Sequence, residues 1–190
     1  MDIKRKIGNS ILPEELITED EVSEMIGAAN NLRDKAFIAA LYETGGRIGE
    51  MDSLQIKNIR FDDLGAVLMV NGKTGMRRVR VVSCVPYLSS WLNMHPHKDD
   101  PNSPLWVGVG AQGYGKPLKY ATYRQIVKRV ARRAGIKKRI YPHLFRHSRC
   151  TELAKHLTEA QLEGYVGWVN GSDMASTYIH LSGKEIDEAI

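Results

Sequence analysis

Cysteine is scarce. Only Cys84 and Cys150 occur in 190 residues, which excludes a disulfide framework and predicts two reduced, buried thiols. No apolar run approaches the roughly 18 residues that a membrane-spanning helix needs, and the amino terminus Met1-Asp2-Ile3-Lys4-Arg5-Lys6 lacks the apolar centre of a secretion signal. A soluble, cytoplasmic chain with no membrane partner is expected. Internal repeats and low-complexity tracts are missing too. The most informative absence is of acid: residues 101 to 151 contain not one Asp or Glu.

What is present fits a single compact domain. A hydrophobic fraction of 43% and mean hydropathy of -0.33 allow a chain of this length to bury about two-thirds of its unfolded surface. Net charge is only +5, yet 12 of the 27 Lys and Arg lie between Lys116 and Arg149, and the first 63 residues carry 13 of the 22 acids. A local basic patch of this kind favours a polyanion such as DNA or RNA over a diffusely basic surface.

Periodicity predicts an α+β fold, mostly helical with a small antiparallel sheet. Residues 1 to 15 read as a linker remnant or mobile tail, and 16 to 190 as one domain. Thr18-Glu19-Asp20-Glu21 is a capping box leading into Val22, Met25, Ile26 and Ala29 on one helical face. A second helix is predicted from Leu32 to Thr44. Gly45-Gly46 breaks it and places Arg47 at the start of a short third helix, a position that suits phosphate. Ala66 to Val70 and Arg78 to Val82 read as a hairpin with Lys73 near its tip. A helix from Pro86 to Met94 and a short strand at Leu105 to Val107 follow.

In the next helix Tyr123, Ile126, Val127, Val130 and Ala134 form an apolar stripe, the remaining circumference is cationic, and Gly135 is its stop. Pro142 opens a helix to about His156, Thr158 with Gln161 caps another to Val166, Ser172 caps a short one carrying Tyr178, and Ser182 with Glu185 caps a last one.

His143 and Arg146 stand three apart on a predicted helix, so both could reach one phosphate. Alone, such a pair matches by chance. In order along the chain, however, Thr44-Gly45-Gly46-Arg47-Ile48-Gly49-Glu50, Asn71-Gly72-Lys73-Thr74-Gly75, Pro142-His143-Leu144-Phe145-Arg146-His147, Gly167-Trp168 and Thr177-Tyr178-Ile179-His180 together resemble the catalytic domain of the tyrosine recombinase (phage integrase) family, from about Leu16 onward. Gly-Trp-Val-Asn-Gly-Ser-Asp looks most like archaeal integrase-like members.

The resemblance implies a DNA breaking-rejoining fold and a site-specific recombinase or integrase that works through a 3′-phosphotyrosine without metal, other cofactor or ATP. Tyr178 is the implied nucleophile and Arg47 and Arg146 the phosphate clamps. His143 is the implied base, Lys73 the acid that protonates the 5′ leaving oxygen, and Trp168 a hydrogen-bond donor where most members carry His. Implied partners are double-stranded DNA and other protomers in a tetrameric synapse, with a monomer in free solution. The DNA face is assigned to Lys116, Lys119, Arg124, Lys128, Arg129, Arg132, Arg133, Lys137, Lys138 and Arg139.

Simpler roles compete with several of these. Arg47 could pair with Glu50 one turn on, Lys73 could be an ordinary turn lysine beside Lys57, Arg77 and Arg78, and Trp168 could be packing. Tyr165 and Tyr141 are alternative tyrosines, better suited to burial and to a turn. His143, His147 and Cys150 lack a fourth ligand at a usual zinc spacing, with His180 nearby, and zinc is rejected. Two other functions remain open: a type IB topoisomerase-like relaxase, and a non-catalytic DNA-binding remnant or regulator. No counterpart of the family's usual amino-terminal core-binding domain is expected before the first helix, and weak, mainly non-specific DNA binding is expected in consequence. A Tyr178 phenol buried and facing away from both guanidiniums, with no hinge to bring it in, would overturn the catalytic assignment.

Overall fold

A computed structural model describes residues 11–73 and 75–183, Leu181 by its backbone alone. The first helix, α1 (Glu19–Ala28), starts on the predicted capping box: Thr18 Oγ1 accepts the Glu21 N–H at 3.2 Å while the Glu21 carboxylate accepts the Thr18 N–H at 2.9 Å. Pro13–Glu15, in the stretch expected to be tail, forms a single 3-10 turn.

Helix α2 (Leu32–Thr44) begins at Asn31, whose side chain caps the Asp34 N–H, and stops at Gly45 in the left-handed conformation at φ 56°. Every residue from Ala36 to Thr44 is buried, so α2 is the central post rather than a surface helix. Its stop at Gly45 lets the chain turn sharply into α3 (Ile48–Asp52), at whose N-cap Arg47 sits.

The sheet has three strands, β1 (Ile59–Asp62), β2 (Gly65–Gly72) and β3 (Gly75–Val81), antiparallel and in chain order. Pairing of Leu68 with Val79 and of Ala66 with Val81 sends one row inward, and all four are fully buried; Met69 and Arg78, also paired, face out. The hairpin was expected; β1 was not. It reads Ile-Arg-Phe-Asp with only Ile59 partly buried, too polar an edge strand to signal itself by alternation.

The predicted strand at Leu105 to Val107 is a correction. These residues are buried, but the segment makes only isolated bridges, Gln55 with Pro104 and Val107 with Pro117. Each bridge ends on a proline, which has no N–H to extend a ladder. The apolar run is satisfied by burial instead: Trp106 meets Phe37 edge-on at 5.3 Å, and Phe37 meets Tyr123 at 5.2 Å.

The other helices are α4 (Val85–Asn93), α5 (Tyr120–Arg133), α6 (Pro142–Ala154), α7 (Glu159–Val166) and α8 (Asp173–Ser182). Glu43 of α2 accepts the N–H groups of Val82, Ser83 and Cys84 at 2.7, 3.0 and 2.7 Å, tying the central helix to the start of α4. α7 has the expected Thr158–Gln161 capping box. Ser172 precedes α8, but its hydroxyl makes no capping bond and is buried without a partner among the described residues; the Glu163 carboxylate takes its N–H at 3.1 Å. Ser182 is the last residue of α8, and its expected partner Glu185 lies outside the described residues.

Apolar burial divides in two. A large core joins α1 through the first half of α6, and a small one gathers Cys150, Ala154, Leu162, Val166, Ala175 and Tyr178 from α6, α7 and α8. Tyr165 touches both, and its hydroxyl donates to the carbonyls of Glu43 and Arg80 at 2.9 and 3.1 Å. Cys84 and Cys150 are free and buried. No described helix is long and apolar enough to cross a membrane.

Candidate active site

Three helix boundaries and one helix face bring separated cations together. Arg47 donates its backbone N–H to Glu50 at 2.8 Å and its Nη1 to the same carboxylate at 3.3 Å, leaving the guanidinium one-third exposed. Glu50 is 3% exposed and also takes Nη2 of Arg77 at 2.9 Å. One buried carboxylate therefore orders two guanidiniums, an arrangement that is stable only while all three partners are present.

Arg77 extends the connection. From β3 its Nη1 donates to the Tyr165 carbonyl at 2.8 Å, while its Nε is buried without a partner among the described residues. Burial holds its pKa below the usual guanidinium value, opposed by Glu50. Gly167, at φ 73°, passes so near that a Cβ there would lie 2.5 Å from Arg77 Nε. Sequence reading weighed Arg77 only as a rival to Lys73. Its inward position on β3 was the available signal.

Arg146 is 3% exposed on α6. Its Nη1 donates to the Gly45 carbonyl at 2.8 Å and Nη2 to the Val166 carbonyl at 3.1 Å, so one planar fork binds the carboxyl ends of α2 and α7. The guanidinium carbon also lies 5.5 Å from the centre of the Trp168 ring system. Burial lowers its pKa, Cys150 opposes this, and the charge of Arg47 lowers it further.

Trp168 follows the turn at Gly167 and stacks on Tyr178 of α8, ring centres 5.4 Å apart at an angle of 11°. Tyr178 is only 4% exposed, and its hydroxyl bonds to Nδ1 of His147. Burial raises the phenol's pKa, followed by Cys150, while Arg146 opposes. His147 packs against His143 one turn earlier, rings 5.0 Å apart and nearly perpendicular. The His143 ring reaches solvent, yet partial burial, then Arg146 and Arg47, lower its pKa. At His147 burial, then His143 and Arg146, bring the value to about 4, so at neutral pH Nδ1 can accept the phenolic hydrogen.

Arg146, Trp168 and Tyr178 are thus in direct sequence of contact, His143 joins through His147, and Arg47 reaches His143 and Arg146 through its field. Lys73 stands exposed beside the β2–β3 turn and makes no hydrogen bond or ion pair among the described residues. Sequence reading placed the phenol with His143; here its partner is His147, recognisable in retrospect as the residue one helical turn past His143.

The basic face divides. Lys116, Lys119, Arg124, Lys128, Arg132, Arg133, Lys137 and Arg139 are exposed. Arg129 instead pairs with buried Asp34 at 2.8 Å, and Lys138 with Glu21 at 2.9 Å and the Leu16 carbonyl at 2.7 Å. No group of His, Cys, Asp and Glu among the described residues is arranged to hold a metal.

The Phage integrase family model matches residues 15–185. Over 189 aligned residues the chain is 28% identical to a tyrosine recombinase, XerA, of Pyrococcus horikoshii, covering 97% of this chain and 64% of that protein. With a tyrosine recombinase of Thermosipho africanus it shares 31% identity over 196 residues, covering 99% of this chain and 62% of the relative. The chain therefore spans less than two-thirds of these relatives' length. A crystal structure of XerA recombinase superposes with a TM-score of 0.75 at 24% identity, over 100% of this chain and 65% of that one, a likeness of fold. With a family model matched over residues 15–185, and a relative 31% identical over 99% of this chain, the chain belongs to the phage integrase family.

Proposed function

We propose that the chain is the catalytic domain of a site-specific recombinase, cutting and rejoining DNA through a covalent link to Tyr178. The observation that carries this reading is the chain of contact from Arg146 through Trp168 to Tyr178, with Arg47 within electrostatic range. Similar proteins supply its context: solved relatives of the same fold include a recombinase, XerH, bound to its difH substrate and a lambda integrase tetramer bound to a Holliday junction.

In the proposed reaction the Tyr178 oxygen attacks phosphorus and displaces the 5′ oxygen, while the phenolic proton goes to His143 and the leaving oxygen takes one from Lys73. Arg47, one-third free, and Arg146 stabilise the charge that builds on the non-bridging oxygens. Arg146 must release at least one carbonyl to do so, since both its terminal nitrogens are engaged. Trp168 supplies an indole N–H but no exchangeable proton at neutral pH. Reversal of the same step with a new 5′-hydroxyl joins strands without ATP, and no metal ion is needed where guanidiniums hold the phosphate.

Duplex DNA, held by the exposed cations of α5 and the loop after it, and further protomers on that DNA are the proposed partners, in the cytoplasm. Incubation of two nicked duplexes with the chain in EDTA tests the reading. Covalent adduct and exchanged strands are expected; relaxation of supercoiled plasmid without exchange would instead indicate a topoisomerase, and DNA retention with neither product a binding protein.

A further inference from the structure

We propose that His147 is the positioning residue for the nucleophile: it seats the Tyr178 phenol against Trp168 by accepting its hydrogen at Nδ1, and this bond must open before the oxygen can reach a phosphorus. The proposal rests on the reading of Tyr178 as the attacking group.

Geometry carries it. Tyr178 is held on two sides, by the indole stacked at 5.4 Å and by His147 across the α6–α8 contact. At 4% exposure the side chain is a member of the small core, sharing it with Cys150, Ala154, Leu162, Val166 and Ala175. A hydroxyl in such surroundings needs a partner, and an apolar core offers few. Among the described residues its partner is His147. A phosphate diester cannot enter that core, so attack requires the phenol to leave its seat.

His147 is suited to this and His143 is not. The two share a face of α6 one turn apart, but His143 reaches solvent where a phosphate could sit, whereas His147 is partly buried and turned to α8. Burial keeps the His147 ring neutral and hence able to accept. A division of labour follows: the outer imidazole serves the reaction, and the inner one stores the nucleophile between reactions. Because the small core that holds the seat lies in α6, α7, α8 and the turn carrying Trp168, and meets the large core through Tyr165, displacement of α8 by bound DNA or a neighbouring protomer would open the seat while leaving most of the large core in place.

The test uses the full chain without DNA. His147→Phe keeps a ring and removes the acceptor; His147→Asn loses the ring but retains an acceptor. Nitration of Tyr178 by tetranitromethane, followed by peptide mapping, reads how often the phenol is free, with Tyr165 in the same digest reporting the general integrity of the fold. Nitration of Tyr178 should rise about tenfold in His147→Phe, the population change that one ordinary hydrogen bond can sustain, and return toward wild type in His147→Asn, with Tyr165 unchanged in both. Unchanged Tyr178 nitration in His147→Phe overturns the proposal, as does an equal rise at Tyr165. Wild-type chain is also incubated with a nicked duplex: if nitration shifts as expected but no DNA adduct forms, the seat stands and the assignment of Tyr178 as nucleophile falls.

Discussion

Arg146 has a structural duty and, under the proposed function, a chemical one with the same atoms. Arg146 ties helix ends that lie far apart in sequence, Gly45 and Val166, so replacing it removes packing as well as a charge donor. Arg146→Lys should lower the rate of DNA cleavage by about 10²–10³, the cost of losing one preorganised donor, and should also lower the melting temperature, because an ammonium cannot span two carbonyls. Single-turnover cleavage alongside thermal unfolding separates the two effects. For Lys73 a chemical rescue is decisive. With a sulfur leaving group in place of the 5′ oxygen no acid is needed, so Lys73→Ala should cleave such a duplex at near wild-type rate while Arg146→Lys stays slow.

His147 makes a pH prediction. Its folded value, near 4, lies below the ordinary 6.5, so between these values the unfolded chain binds a proton that the folded chain refuses. Stability must fall as pH drops through that window, by up to about 1.4 kcal/mol per pH unit from this group. Urea unfolding from pH 7 to 4 should show a shallower loss in His147→Phe than in wild type; parallel curves would show that the imidazole is not buried in its neutral form. At this scale placement was legible in sequence: the Gly45-Gly46 break puts Arg47 at the start of α3, and a spacing of three puts His143 and Arg146 on one helix, while their proposed roles come from the resemblance. What spacing cannot show is which neighbour a side chain turns to, and so the choice of His147 over His143 by Tyr178 was not legible.

Among the elements, local signals worked where caps and glycines punctuate the chain. Thr18, Gly45, Thr158 and Gly167 each mark a boundary that the backbone obeys, whereas the cap at Asn31 was not read from the sequence. They failed where tertiary context decides: β1 exists because Ile59 to Asp62 pair with β2, and Leu105 to Val107 are buried without strand partners. The link from β3 to the end of α7 was equally hidden, because Arg77 and the Tyr165 carbonyl are 88 residues apart. Gly167→Ala tests that link. Its φ of 73° strains any side chain, and the new Cβ would press on Arg77 Nε, so a loss of at least about 1–2 kcal/mol is expected in chemical unfolding. A neutral outcome would mean that the Arg77 clamp contributes little.

For the whole molecule the decisive asymmetry is electrostatic. A chain whose acids cluster early and whose cations cluster late carries a local basic patch of the kind that suits a polyanion, but two of the basic residues pair with acids, Arg129 with Asp34 and Lys138 with Glu21. Composition could locate the patch and could not tell which cations were already paired. Lys128→Ala and Arg132→Ala, at exposed positions, should each reduce the salt dependence of DNA binding by about one phosphate contact. Arg129→Ala should leave that slope unchanged and cost stability instead, by leaving buried Asp34 with one cation fewer. Titrations at several salt concentrations distinguish these outcomes.

The proposed convergence of Arg47, His143, Arg146, Trp168 and Tyr178 on one phosphorus is tested most directly by trapping the chain on a nicked duplex and mapping the DNA-linked peptide by mass spectrometry. A single adduct on Tyr178, absent from Tyr178→Phe, is the predicted result. An adduct on Tyr165 or Tyr141, or one that persists in Tyr178→Phe, would contradict it.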